Sequence, residues 1–110
     1  MQKFRSGEIV LVKFPFANLE EVKRRPALVL LDSGDDDILV ARITSQPRQT
    51  AFDMEISQWK QAGLLLPSIA RLDKLASLEK KIVEKSLGIL SSTDWMKVKE
   101  KILEMWTSLR

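Results

Sequence analysis

Apolar residues come in short bursts along the chain, and most of the bursts have the length and branching of β-strands. Glu8-Ile9-Val10-Leu11-Val12-Lys13-Phe14 is β-branched and apolar between charged ends. It predicts a first strand, with Gly7 marking the turn before it. Pro15-Phe16-Ala17-Asn18 stops that strand, and residues 15–24 form a charged loop. Ala27 to Asp32 is a second strand, apolar enough to be buried. Pro26 cannot donate to a ladder, so it belongs at the first position of that strand or in the loop feeding it. Ser33-Gly34-Asp35-Asp36-Asp37 is a turn by composition. Adjacent carboxylates on a hairpin tip point apart into solvent, so these acids read as a turn and not as a metal site. Ile38 to Thr44 is a third strand, joined to the second by a short loop and therefore antiparallel to it. In that pairing the second strand begins where the third finishes, which sets Arg25 beside Thr44.

After Pro47 the pattern changes. Phe52-Asp53-Met54-Glu55-Ile56 alternates apolar and acidic, a half-buried strand. Ser57 to Gly63 opens on a capping residue and closes on glycine, which predicts one or two helical turns. Trp59 within it reads as packing rather than as a base-stacking ring. Ser68 to Leu75 alternates with period two, so Arg71 and Asp73 share a strand face. They form either an exposed ion pair worth at most ~1 kcal/mol or an acid–base pair on a rigid element. Residues 76–90 carry further strand material, with Gly88 near a kink. Ser91 and Asp94 are spaced as a capping box with Asp in place of Glu. Trp95, Val98, Ile102 and Met105–Trp106 then share one face at helical spacing. This predicts a C-terminal amphipathic helix of roughly four turns, packed on a sheet.

Composition narrows the options. At 110 residues one domain, residues 1–110, is expected, with no linker or repeat. No apolar run approaches the ~20 residues of a bilayer span, and the polar start of the chain does not read as a signal peptide. With no cysteine there are no disulfides, and a cytoplasmic home is expected. Histidine is absent too, so an imidazole base is excluded and zinc has neither of its usual ligands. Any chemistry falls to Arg, Lys, Asp, Glu, Ser or Thr. The net charge of +3 is mildly basic and compatible with a nucleic-acid partner.

Candidate chemistry centres on Arg24-Arg25-Pro26. Proline has a fixed φ, so Arg25 is delivered at the mouth of a rigid strand, where a guanidinium is a good phosphate receptor. Read from these residues alone, a solvated arginine pair is the stronger account. Thr44-Ser45-Gln46 closes the third strand with three hydrogen-bonding side chains, either as turn chemistry or as a polar shelf at the same sheet end.

Four blocks carry a resemblance: Gly7-Glu8-Ile9-Val10-Leu11-Val12, Arg24-Arg25-Pro26-Ala27-Leu28-Val29, Ala41-Arg42-Ile43-Thr44-Ser45-Gln46 and Leu66 to Leu75. In this order and spacing they resemble the PemK/MazF-like toxins of type II toxin–antitoxin systems, over nearly the whole chain. The resemblance implies a mainly β fold with helices (α+β), an SH3-like β-barrel with a C-terminal helix, assembled as a homodimer. It implies an endoribonuclease that cuts single-stranded RNA without metal or cofactor, and a cognate antitoxin whose tail blocks the RNA site. By the same resemblance Arg25, Thr44, Arg71 and Asp73 are the catalytic residues. Arg24, Ser45, Gln46, Arg48 and Gln49 are candidate substrate contacts. One departure stands out: the first loop, Ala17-Asn18-Leu19-Glu20-Glu21-Val22, is acidic and free of glycine, which disfavours approach of phosphate. Competing expectations are a barrel like the related CcdB-like toxins, which poison a gyrase and cut nothing, or an inactive barrel.

Overall fold

Alternation along the strands divides the apolar side chains between two faces. The computed structural model describes residues 2–15, 22–47 and 50–109. Its strands are β1 (Glu8–Pro15), β2 (Val22–Leu31), β3 (Asp37–Thr44), β4 (Asp53–Glu55), β5 (Ile69–Glu79) and β6 (Val83–Ile89). A 3-10 turn, Lys80–Ile82, joins β5 to β6, and helix α1 (Ser92–Thr107) ends the chain. All six strands form one sheet in the order β4-β5-β3-β2-β1-β6, with every neighbouring pair antiparallel. The edge strands β4 and β6 do not pair with each other, so the sheet stays open where a barrel would close. Among the described residues no helix is long and apolar enough to cross a membrane.

Sequence neighbours go to opposite cores, as a period of two requires. Ile9, Leu28, Ile43, Ala70 and Leu72 join one cluster, which α1 covers through Val98. Val10, Val12, Ala27, Val29 and Val40 join the other, together with Phe4. Each large aliphatic side chain buried in this way contributes roughly 1.5–3 kcal/mol.

Strand β2 begins before Ala27, so Pro26 lies inside it rather than at its start. It pairs with Leu11 of β1, whereas β3 pairs with β2 only from Ala27 onward. Pro26 therefore has a sheet neighbour on one side only, the edge condition in which proline is tolerated. Of the one or two helical turns expected at 57–63 there is one, with Ala62 N–H bonded to the Gln58 carbonyl. Leu64 N–H then reaches the Trp59 carbonyl and Gly63 N–H the Lys60 carbonyl, with Gly63 at φ 89°. This is a Schellman stop, which needs a left-handed residue. The acidic first loop lies outside the described residues.

Two glycines let main chain touch main chain. A Cβ on Gly88 would collide with the Ala62 carbonyl, and one on Gly63 with the Leu87 carbonyl. The kink expected near Gly88 is a register shift between β1 and β6, where Ile9 faces Gly88 but Val10 faces Ser86.

Buried carboxylates serve the backbone. The half-box at α1 is real: Ser91 Oγ accepts from Asp94 N–H at 3.1 Å. Asp94 does not reach back to Ser91. Its carboxylate, fully buried, accepts from the N–H groups of Ser57 and Gln58, tying the helix to the 57–63 turn. On the helix face, Val98 is buried and Trp95 and Ile102 are partly so. Trp106, expected on that face, is 69% exposed. Helical period sets a direction, not how far the partner surface extends, and the last turn has run beyond it.

Asp32 fastens the opposite end. It accepts from Phe4 N–H at 2.8 Å and Gly34 N–H at 2.9 Å and pairs with Lys80 at 3.0 Å. The Phe4 bond leads in lowering its pKa from 3.8 to about 2, with Lys80 and Gly34 adding to it against the opposing effect of burial.

Gly88→Ala should cost about 1–3 kcal/mol, read as a lowered urea midpoint; an unchanged midpoint would rule out the close approach. Because the folded Asp32 pKa is depressed, its stabilisation is present above the unfolded value of 3.8 and is lost as pH falls towards about 2. The melting temperature of Asp32→Asn should therefore lie below that of the native chain at neutral pH and converge on it across that acid window. A gap that persists at the acid end would contradict the assignment.

Candidate active site

The start of β2, the end of β3 and the start of β5 open onto a cleft of about 1140 Å³. Arg25, Thr44, Arg71 and Asp73 all line it, as do Arg24, Ser45 and Gln46. Arg48 and Gln49 lie outside the described residues. The β2–β3 pairing ends at Ala27–Arg42, two residues short of an Arg25–Thr44 step, and those two side chains meet the cleft beyond the ladder.

Arg71 is held by register. It lies directly across from Asp53 of β4 on one side and from Arg42 of β3 on the other. Its Nε donates to Asp53 Oδ1 at 3.1 Å, and the two side chains are only 10% and 3% exposed. The ion pair of Arg71 is thus with Asp53, a residue that the alternating 52–56 segment presented only as one acid of a half-buried strand. Burial works against the charge on Asp53, but the Thr50 N–H, at 3.2 Å, and Arg71 outweigh it and hold the pKa below the ordinary carboxylate value. Asp53 therefore stays ionised at neutral pH. With Nε engaged, the terminal guanidinium donors of Arg71 remain for a ligand.

Asp73 is exposed and pairs with Lys74 at 3.5 Å. Between Arg71 and Leu75 the register with β3 shifts by three residues. Ala70, Arg71 and Leu72 are buried in succession there, so strict alternation stops. Asp73 sits on this irregular segment, free of a β3 partner, and reaches the cleft from it.

Thr44 Oγ1 accepts from Gln46 N–H at 3.1 Å, the local turn that ends β3. Its hydroxyl hydrogen is left free to donate. Arg24 Nε donates to both oxygens of Glu84 on β6, at 2.8 and 3.1 Å. That bond leads in lowering the Glu84 pKa, with Lys13 contributing. As with Arg71, the terminal guanidinium donors of Arg24 remain for a ligand.

The cleft is cationic. Among the described residues Lys23, Arg24, Arg25, Arg42, Arg71, Lys74 and Lys85 line it against one acid, Asp73. Arg25, Arg42 and Lys85 make no ion pair among the described residues. Exposed Leu65 and Leu66 add apolar surface to the wall. Trp59 is not part of it; the ring is partly buried against the helix-side core, with Lys60 Nζ 5.4 Å from its centroid.

A family model described as the PemK-like, MazF-like toxin of type II toxin–antitoxin systems matches residues 5–106. No curated protein matches the chain by sequence. Among solved structures, an endoribonuclease from a mycobacterial species is similar over 97% of this chain and 94% of its own, with TM-score 0.76 and 14% identity. A mycobacterial endoribonuclease in complex with its cognate antitoxin is similar over 94% and 95%, with TM-score 0.74 and 13% identity. MazE–MazF from Deinococcus radiodurans is similar over 94% and 96%, with TM-score 0.74 and 21% identity. Those structures share the fold: mostly β, one antiparallel sheet, a C-terminal helix. The family match spans almost the entire sequence, including the strands that carry Arg25, Thr44, Arg71 and Asp73, and the chain belongs to the PemK-like, MazF-like toxins of type II toxin–antitoxin systems.

Proposed function

We propose that the protein is a metal-independent, sequence-specific endoribonuclease that cuts single-stranded mRNA and so stops translation and growth. The observation that carries this reading is the convergence of Arg25, Thr44, Arg71 and Asp73 on one cationic cleft in a chain of this family.

In the proposed reaction the ribose 2′-OH attacks the adjacent phosphorus. Its proton passes to Asp73, the P–O5′ bond breaks, and the products are a 2′,3′-cyclic phosphate and a 5′-OH. Arg25 and Arg71 offset the charge that grows on the phosphoryl oxygens, usually the largest catalytic contribution. Thr44 and Ser45 orient the phosphate through their hydroxyls. Arginine holds its proton too tightly to be an easy acid, so a water supplies the proton to the departing oxygen. Gln46, Arg48 and Gln49 contact unpaired bases, whose edges and faces carry RNA sequence; Arg24 adds a contact through its terminal guanidinium donors.

The same reading makes the sheet the SH3-like barrel of the family, left open between β4 and β6, in a single domain of residues 1–110. It makes the working form a cytoplasmic homodimer, held in check by a cognate antitoxin whose tail occupies the cleft.

Purified protein incubated with a long RNA in EDTA should yield discrete fragments ending in cyclic phosphate. Arg25→Ala should lose about 10²–10³-fold in kcat with an unchanged melting temperature, since Arg25 is exposed and unpaired among the described residues. A folded, fully active Arg25→Ala would defeat the proposal, and intact RNA with the native protein would favour a non-cutting, gyrase-poison-like barrel.

Asp53 acts through Arg71 as a positioning residue. Asp53→Asn should lower stability by about 2 kcal/mol, between the values of exposed and buried pairs. Well below its melting temperature it should also lower kcat by up to about 10²-fold with little change in KM, and Asp53→Glu should recover part. A stability loss with kcat intact would leave Asp53 a purely structural partner.

A further inference from the structure

Like charges placed directly opposite each other on neighbouring strands destabilise a sheet. Arg42 of β3 faces Arg71 of β5 in just this way, and Asp53 supplies one carboxylate for the two guanidiniums. Arg71 takes that carboxylate and is buried by it; Arg42 is exposed, lines the cleft and has no ion pair among the described residues. A third cation, Arg25, lies on the same wall, likewise unpaired. Among the described residues, cations outnumber the acids that could neutralise them where β2, β3 and β5 meet.

We propose that Arg42 holds a phosphate of the bound single strand next to the one engaged by Arg25 and Arg71. The substrate class rests on the nuclease reading; the contact itself rests on charge and register. A polyanionic strand supplies one negative charge per nucleotide, and Asp73, the one acid on the wall among the described residues, is already beside Lys74. Opposed positions on neighbouring strands set their Cβ atoms about 5 Å apart, and two long side chains that repel each other spread from there. Two splayed guanidiniums suit successive phosphates of one strand better than two oxygens of a single phosphate. The role predicted for Arg42 is therefore uniform strand binding, separate from the chemical step. Because no described residue pairs with Arg42, its removal is also predicted to leave the fold unharmed.

The test is binding of a mixed-sequence, 2′-O-methylated oligonucleotide, which cannot be cut, across about 50 to 200 mM salt. The native protein, Arg42→Ala, Arg42→Lys and a remote control, Lys99→Ala on α1, are compared. Arg42→Ala should bind several-fold more weakly, and the slope of log affinity against log salt should fall by about 0.7, the loss of one single-strand phosphate contact. Arg42→Lys should restore the slope, Lys99→Ala should match the native chain, and Arg42→Ala should melt no lower than it. In parallel cleavage assays KM should rise with kcat nearly unchanged. A native slope in Arg42→Ala, or no binding of the oligonucleotide by the native protein, overturns the inference. So does a loss of affinity confined to a poly-glutamate peptide, which would mark Arg42 as a contact for an acidic protein segment. Absence of RNA cleavage together with the expected slope change overturns the nuclease reading alone and leaves the phosphate contact standing.

Discussion

A single carboxylate set between two arginines by strand register governs the region where function is placed. Asp53, Arg71 and Arg42 stand in one row across β4, β5 and β3. One carboxylate can neutralise one guanidinium, and the partition is unequal: Arg71 is paired and buried, Arg42 is exposed to the cleft. The first becomes a preorganised cation on a rigid strand. The second remains a charge without a partner in the described fold, at an energetic cost that an anionic ligand relieves. Sheet pairing thus does more than hold the chain together; it sets how much positive charge the cleft presents and how firmly each cation is held.

That row stays in register because the rest of the molecule is tied down by means that leave the cleft alone. The two apolar clusters fix opposite faces of the same strands. Gly63 and Gly88 allow the 57–63 turn to lie on β6 at main-chain distance, which brings Leu64 and Leu66 to the cleft wall. Asp94 and Asp32 spend their charge on backbone N–H groups, one joining helix to turn and the other joining the N-terminal segment to the β2–β3 hairpin. Satisfied in this way, buried carboxylates cost little and specify one arrangement. Across the β2–β1–β6 side, an exposed side-chain pair, Arg24 with Glu84, ties the outer strands.

Much of this fold was legible in the chain because hydrophobic period is a local property. Strands, hairpin turn and final helix followed from alternation, glycine and capping residues, and structure moved their limits by a few positions. The misses have physical causes. The missing N–H of Pro26 points to a strand start or the loop feeding it, because sequence does not reveal that β3 pairs only from Ala27 onward. Trp106 matched the helical face, yet nothing in the described residues covers it, since periodicity carries no information about the length of the surface opposite. The open sheet edge between β4 and β6 likewise depends on curvature, which short-range pattern does not encode.

For the site, the order of the blocks pointed to Arg25, Thr44, Arg71 and Asp73, and all four line one cleft. Asp53 and Arg42 were not singled out, because their importance comes only from standing opposite Arg71. The sequence by itself determined the chemical inventory: arginines, hydroxyls and carboxylates with no imidazole or thiol, arranged on strands of defined period. Tertiary structure alone decided which acid serves which arginine, because a partner eighteen positions away is chosen by register, and Arg71 lies directly across from Asp53 while Asp73 sits on the segment where the register shifts by three residues.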